Sequence, residues 1–138
     1  MTVSSPVLAL RQIRKSYDSL EVLKGVDLTA HEGDVVSLIG SSGSGKSTLL
    51  RCINMLEISQ AGEIEFCGEA VRWTGEGAER VPADRQQVID MRTQLSMVFQ
   101  QFNLWTHMTV LKNVIEAPVT VLGKSRDAAA ADAMAILE

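Results

Sequence analysis

A stretch rich in glycine and serine carries the residue types that could bind a phosphate chain. It reads Gly40-Ser41-Ser42-Gly43-Ser44-Gly45-Lys46-Ser47-Thr48 and fits the pattern G-x-x-x-x-G-K-[S/T] at every fixed position. A loop of this composition brings backbone N–H groups to phosphate oxygens, because glycine leaves no Cβ in the way. The stretch therefore predicts a phosphate-binding loop; the alternative is a Gly/Ser-rich surface turn ahead of a helix.

Each residue type in this loop has its own expected role. Gly43 and Gly45 are expected where φ must be positive or where a Cβ would collide. A helix beginning near Lys46 would direct its unpaired N–H groups at the same anion. The Lys46 ammonium can reach the β- and γ-phosphates, the Ser47 hydroxyl is the expected Mg²⁺ ligand, and Thr48 should donate on the α-phosphate side. The loop thus predicts binding of a nucleoside triphosphate with Mg²⁺.

Two elements must position this loop. Residues 34–39 are a short apolar run with β-branched side chains, which predicts a buried strand before the loop. A helix should follow from Lys46, with one buried face formed by apolar residues at three- and four-residue spacing. Those residues are Leu49, Leu50, Ile53 and Leu56.

The remaining N-terminal pattern predicts further strands. Residues 7–13 and 20–28 indicate an antiparallel hairpin that feeds a parallel core. Residues 63–67 alternate polar with apolar, as in a half-exposed strand, and residues 95–99 predict another buried strand. Residues 71–87 are less patterned, and we expect a surface excursion there.

Helices are predicted elsewhere. The surface excursion should lead into a short helix over residues 85–92. Thr109 could cap another helix, which Pro118 should kink or end. Ser125 is the expected N-cap of an alanine-rich helix with Asp127 in its first turn. This last pattern has no stop signal before the end of the sequence, which predicts a chain cut short inside a helix.

Composition limits the class of protein. The 138 residues are 46% hydrophobic and 22% charged, as in an ordinary globular domain. The net charge of −4 and the lack of a basic patch argue against a general nucleic-acid binder. Cys52 and Cys67 are isolated, so we expect reduced core residues rather than metal ligands.

The order of several motifs resembles the nucleotide-binding subunit of ATP-binding cassette (ABC) transporters. The motifs are Tyr17, Leu23-Lys24-Gly25-Val26, the phosphate loop, Gly62-Glu63-Ile64 and Val98-Phe99-Gln100. Residues 97–111 and 113–118 are most similar to bacterial polar amino acid importers of the histidine permease type. Ser41 stands where many relatives have proline. The resemblance implies an α/β fold: a P-loop NTPase core with an N-terminal antiparallel β subdomain over residues 1–100, and the start of a helical subdomain over 101–138.

The resemblance also implies roles for individual residues. Residues Gly40 to Thr48 would bind ATP, and Tyr17 would stack on its adenine ring. Gln100 would contact Mg²⁺ and the attacking water, so it joins Lys46 as an implied catalytic residue. The neighbouring Gln101 is the alternative, but Gln100 directly follows the Val-Phe pair. Phe102, Leu104 and Trp105 would form part of a groove that receives a helix of the membrane-embedded permease. The alternative is that they pack in the core.

Other parts that the family uses for hydrolysis are not found in these residues. There is no Leu-Ser-Gly-Gly-Gln signature and no later apolar strand ending in Asp-Glu. The family's switch histidine lies far downstream, so neither His31 nor His107 is assigned that role. We therefore expect this chain by itself to bind ATP with negligible hydrolysis.

In the intact protein the resemblance implies an energy-coupling subunit of a bacterial importer for polar amino acids. Two such subunits would sandwich two ATP molecules at the cytoplasmic face of the inner membrane, peripheral to the permease subunits. A periplasmic substrate-binding protein would take part indirectly, and no nucleic acid is expected. Two alternatives stay open: a soluble ABC ATPase of translation or DNA repair, and a nonhydrolytic ATP-binding fragment. A switch-type GTPase is disfavoured because no Asn-Lys-x-Asp motif occurs.

Overall fold

The computed structural model describes residues 5–137 of the chain. They divide into two compact units, residues 5–97 and residues 98–137. The sequence-based boundary after residue 100 lies three residues beyond this division. Each unit is described by itself.

The first unit is built on an antiparallel sheet. Its strands are β1 (Leu8–Tyr17), β2 (Leu20–Ala30), β3 (Ala61–Phe66) and β4 (Glu69–Ala70). They lie in the order β2-β1-β3-β4, and each neighbouring pair is antiparallel. The predicted hairpin of the first two strands is therefore confirmed, and both strands extend beyond their predicted ends.

A bulge bends β1 in the middle of this sheet. Gln12 has a φ of 52°, and the pairing register shifts there against both neighbouring strands. The Asp27 carboxylate accepts hydrogen bonds from the backbone N–H and the side-chain Nε2 of Gln12, at 2.8 and 2.6 Å. Gly62 lies against the bulge with a φ of 95°, where a Cβ would be 2.5 Å from the Gln12 carbonyl oxygen. Only glycine fits this approach without displacing backbone.

The core of the first unit is formed by the sheet and two helices, α1 (Lys46–Ile53) and α2 (Arg85–Gln94). Its buried apolar side chains include Leu10, Ile13, Leu23 and Ile64 of the sheet, Leu49, Cys52 and Ile53 of α1, and Val88 and Met91 of α2. The predicted face of α1 is partly wrong, because Leu50 and Leu56 are about half exposed while Cys52 and Met55 are buried. The helix ends at Ile53, so the chain beyond it no longer follows helical spacing.

The strands predicted for residues 34–39 and 95–99 are not formed. Residues 34–40 have no regular secondary structure, and neither do residues 95–99. Val35, Ile39 and Val98 are each more than nine-tenths exposed. A strand needs a neighbour to complete its backbone hydrogen bonds, and within residues 5–137 no strand lies beside these runs. The expected parallel core is likewise not found among the described strands.

The segment predicted as a surface excursion contains small elements. A second sheet pairs β5 (Trp73–Thr74) with β6 (Val81–Pro82), and a 3₁₀ turn spans Gly77–Glu79. Arg80 is buried, with its guanidinium 4.0 Å from the centre of the Trp73 ring. The helix expected at residues 85–92 is α2, which begins after Asp84, whose carboxylate accepts from the N–H groups of Gln86 and Gln87.

The second unit contains two helices that pack on each other, α3 (Val110–Thr120) and α4 (Arg126–Leu137). The predicted caps are present, since Thr109 accepts from the Lys112 N–H and Ser125 from the Ala128 N–H. Pro118 lies inside α3, which ends two residues later. None of the helices within residues 5–137 is long and apolar enough to cross a membrane.

Candidate nucleotide-binding site

Two glycines of the loop adopt the backbone conformation that the sequence predicts. Gly43 has a φ of 80° and Gly45 a φ of 92°, both in the left-handed region. A Cβ on Gly45 would lie 3.0 Å from side-chain atoms of Val22 and Leu23 in β2 and 3.2 Å from the Val22 carbonyl oxygen. A Cβ on Gly43 would meet no atom within 4 Å. Gly43 is therefore required for conformation alone, and Gly45 for conformation and close packing.

The Lys46 side chain folds back over the loop. Its Nζ donates to the carbonyl oxygens of Gly40 and Ser41, both at 2.7 Å, and lies 3.2 Å from the Ser44 hydroxyl. These acceptors are all uncharged, so they orient the ammonium without neutralising it. An incoming phosphate oxygen carries a formal charge and would form the stronger, charge-assisted hydrogen bond.

The N-terminus of α1 adds backbone donors beside this ammonium. Gly45 is the N-cap, no side chain caps the helix, and its first turn contains no acidic residue. The first N–H groups and the positive end of the helix dipole are therefore left for an anion. Ser47 is exposed and Thr48 partly exposed in this turn, as their predicted roles require.

Tyr17 lies in the same unit as the loop. Gly45 packs against Leu23, and Leu23 is paired with Lys15, two residues before Tyr17 on β1. The Tyr17 side chain is 40% exposed, so its ring is accessible to a planar ligand. Its proposed contact with adenine remains a prediction.

Gln100 belongs to the second unit and is exposed, as is Gln101. The role of Gln100 beside the phosphate loop stays a prediction. Phe102, Leu104 and Trp105 are also exposed, so the alternative of core packing is not what the structure shows for them. Trp105 is fixed through its backbone, since Asn113 accepts from its N–H at 2.7 Å and donates to its carbonyl at 3.1 Å.

Residues 5–137 contain no site for a metal ion held by protein carboxylates, imidazoles or thiols alone. Among residues 5–137 no cluster of three or more such side chains has metal-binding geometry. Magnesium at a phosphate loop needs fewer protein ligands, because it is held by one hydroxyl, phosphate oxygens and water. The exposed Ser47 hydroxyl fits that arrangement.

The two cysteines have different environments. Cys52 is buried in the core, and burial raises the pKa of its thiol to about 11. Cys67 is exposed in the turn after β3, so the expectation that both are core residues is wrong for Cys67. Cys67 lies in the turn with a φ of 50°, so its side chain no longer follows the inward and outward alternation of the strand.

Sequence reasoning missed Lys15, which contacts the Tyr17 ring. Its Nζ lies 5.0 Å from the ring centroid. The predicted strand ended at residue 13, whereas β1 extends to Tyr17, and residues two apart on a strand point to the same face of the sheet. The anchoring of Lys15 by residues after α1 had no signal in the sequence.

These features define an α/β protein with a glycine-rich loop, predicted to bind phosphate, at the start of a helix. The family profile described as "ABC transporter" matches residues 23–138. The chain belongs to the ABC transporter family.

Curated relatives cover nearly all of the chain. It is 51% identical over 134 residues to the octopine permease ATP-binding protein P of Rhizobium radiobacter, covering 96% of this chain and 51% of that protein. It is 57% identical to the arginine/ornithine transport ATP-binding protein AotP of Pseudomonas aeruginosa, with 86% and 47% covered. The histidine/lysine/arginine/ornithine transport ATP-binding protein HisP of Escherichia coli is 52% identical, with 92% and 50% covered. The chain spans about half the length of these relatives.

Solved structures share the fold. The structure of cbiO1 from Clostridium perfringens, part of the ABC transporter complex cbiONQ, aligns with a TM-score of 0.69 at 22% identity, covering 91% of this chain and 47% of that one. A nucleotide-free ATP-binding cassette from an ABC transporter aligns with a TM-score of 0.65 at 25% identity, covering 91% and 45%.

Proposed function

We propose that this chain is the ATP-binding part of the energy-coupling subunit of a bacterial importer for polar amino acids. The observation that carries the proposal is the geometry of Lys46, whose ammonium is oriented by loop carbonyls at 2.7 Å and is paired with no carboxylate of residues 5–137. The first backbone N–H groups of α1, which no side chain caps, directly follow the loop. A triphosphate satisfies both.

The residues divide the work of binding Mg-ATP. Backbone N–H groups of residues 43–48 would surround the phosphates, and Lys46 would counter the charge on the β- and γ-phosphates. Ser47 would bind Mg²⁺, together with the phosphates and water. Tyr17 would stack on adenine, which gives affinity with little selectivity among bases.

The substrate class is proposed from the relatives. The octopine, arginine/ornithine and histidine systems that their names record all carry amino acids or amino acid derivatives with a charged or polar side chain. These names support a transport role over the alternative of a soluble ABC ATPase. Hydrolysis and transport are proposed for a whole subunit, because each relative is about twice as long as this chain.

The partners follow from the same role. We propose permease subunits in the membrane, a second ATPase subunit that completes the ATP sites, and a location at the cytoplasmic face of the inner membrane. The exposed side chains of Phe102, Leu104 and Trp105 offer an apolar surface of the kind that a permease helix would cover. The role of Gln100 in sensing the γ-phosphate is proposed from the family resemblance alone.

Replacement of Lys46 tests the proposal. Lys46→Ala removes a charged donor worth about 1.5–3 kcal/mol, so Mg-ATP should bind about tenfold to a hundredfold more weakly by calorimetry. The matched control is Arg51→Ala, which removes the same charge from an exposed position of the same helix. Equal affinities of Lys46→Ala and the wild type, in folded samples, would show that the loop assignment is wrong.

A further inference from the structure

We propose that Lys15 is a positioning residue for nucleotide-base recognition, acting by holding the ring of Tyr17 ready to stack. This inference rests on the proposed function, because it assigns a residue that supports the adenine contact. The proposal starts from the position of the Lys15 ammonium, whose Nζ lies 5.0 Å from the centroid of the Tyr17 ring. A cation at this distance over an aromatic face is attracted by the electron density of the ring.

The ammonium is itself fixed by two acceptors. Lys15 Nζ donates to the carbonyl oxygen of Ile58 at 2.9 Å and lies 3.3 Å from Oε2 of Glu57. The Lys15 side chain is only 13% exposed, unlike a lysine that extends into solvent. A lysine loses much side-chain freedom when it is ordered. Here the Lys15 side chain loses that freedom on folding, so the cation is already in position before a ligand binds.

The backbone around Tyr17 is fixed by the same segment. Gln60 accepts from the N–H of Ser16 at 2.5 Å and donates to the carbonyl of Ser16 at 3.2 Å. The N–H of Gln60 also donates to the Arg14 carbonyl at 2.8 Å. With the backbone beside Tyr17 held, the main freedom left to this residue is rotation of its side chain. The Lys15 contact restrains that rotation.

The consequence is a preorganised stacking surface. Lys15 lies over one face of the ring, and the 40% exposure of Tyr17 leaves surface for a base. A ring that is already ordered loses less side-chain entropy on stacking, so the same contact yields more affinity. Because residues 57–60 follow the phosphate-loop helix α1 after only three residues, this segment links the place where phosphates would bind to the place where the base would bind.

A purely structural role is the competing explanation. The ion pair of Lys15 with Glu57 would then only stabilise the packing of β1 against the segment after α1. In that case its loss would lower stability and would weaken a ligand with a base and a ligand without one equally. The two explanations therefore differ in how they treat ATP and tripolyphosphate.

The experiment compares these two ligands by calorimetry, each with Mg²⁺. Lys15→Met keeps the length and apolar stem of the side chain but removes the charge, whereas Lys15→Arg retains the cation. We expect Lys15→Met to bind ATP about threefold to tenfold more weakly, as for the loss of one cation–π contact, with tripolyphosphate affinity unchanged. Lys15→Arg should bind ATP nearly as the wild type does. In a Tyr17→Ala background, Lys15→Met should have no further effect.

A second readout follows the ring directly. The chain contains a single tyrosine, so the protein labelled with 3-fluorotyrosine gives one ¹⁹F resonance from position 17. Lys15→Met, and also Glu57→Gln, which releases the anchor, should shift this resonance without ligand. The matched control is Lys124→Met in the second unit, which should not. The Glu57→Gln variant keeps the proposal testable if Lys15→Met does not fold.

The results distinguish failure of the Lys15 role from failure of the proposed ATP-binding function. Equal losses for both ligands, no loss for either, or an unmoved resonance would overturn the role of Lys15 while leaving the phosphate loop intact. A folded wild-type protein that binds neither ligand would overturn the proposed function, and the base-recognition role with it.

Discussion

Two kinds of apolar run in this chain have different structures. In β1, Ile13 is fully buried in a sheet, whereas Ile39, from the apolar run before the phosphate loop, is 95% exposed and lies in no strand. Residues 34–39 contain three β-branched residues whereas β1 contains one, so propensity alone would favour the run that is not a strand. The difference teaches that an apolar run becomes a strand only where a neighbouring strand completes its hydrogen bonds.

The available neighbours explain the contrast. The partner of β1 in its hairpin is separated from it by a short turn, and β3 pairs with its other edge. A parallel strand needs a crossover of a dozen or more residues before its neighbour can arrive. Within the described residues, no strand takes that place beside residues 34–39.

The largest effect expected from this contrast is on core packing. Ile13→Ala should lower the free energy of unfolding by about 2–5 kcal/mol, because it leaves a cavity in the core. Ile39→Ala removes the same atoms from an exposed side chain and should change it by less than about 0.5 kcal/mol. Urea denaturation followed by circular dichroism measures both. Similar losses for the two variants would mean that residues 34–39 are packed after all.

A smaller difference between two matched glycine variants should test the role of strand pairing. Gly62→Ala places a Cβ 2.5 Å from the backbone oxygen of Gln12, where β3 meets the bulge of β1. The matched control Gly68→Ala also has a positive φ, 81°, but its Cβ would meet no atom within 4 Å. Both variants should lose about 1–2 kcal/mol from the left-handed backbone conformation. Gly62→Ala should lose about 1–3 kcal/mol more, from the overlap.

Equal losses at Gly62 and Gly68 would contradict the close approach at the bulge. Urea denaturation followed by circular dichroism measures the free energy of unfolding of both variants. A normal amide spectrum for the folded fraction would show that the sheet itself still forms.

The smallest effect concerns the two cysteines, one buried in the core and the other exposed in a turn. Cys67 should react with iodoacetamide at pH 8 while Cys52, only 1% exposed, should not. Burial raises the pKa of Cys52 from its ordinary value of 9.0 to about 11, so the folded state holds its proton more tightly. Its contribution to stability is therefore present below pH 9 and is lost as the pH rises towards 11. Mass spectrometry of each peptide measures the labelling; rapid modification of Cys52 in the folded protein would contradict its burial.

Local patterns made much of the site predictable. The phosphate loop, the hairpin of β1 and β2, and the caps at Thr109 and Ser125 all depend on residues close together in the sequence. The positive φ at Gly43 and Gly45 was likewise predictable, because few other residues tolerate that conformation. Such features are decided within a few residues of the chain, so their residue types suffice to predict them.

Long-range contacts were not predictable in this way. The packing of Gly45 on β2, the anchoring of Lys15 by Glu57 and Ile58, and the exposure of Ile39 each depend on residues distant in the sequence. The sequence by itself indicated the family and most local elements, and it predicts the phosphate-binding loop. Only the tertiary structure decided which apolar runs are buried and what holds the Tyr17 ring, because burial and anchoring depend on which distant segments come to lie together.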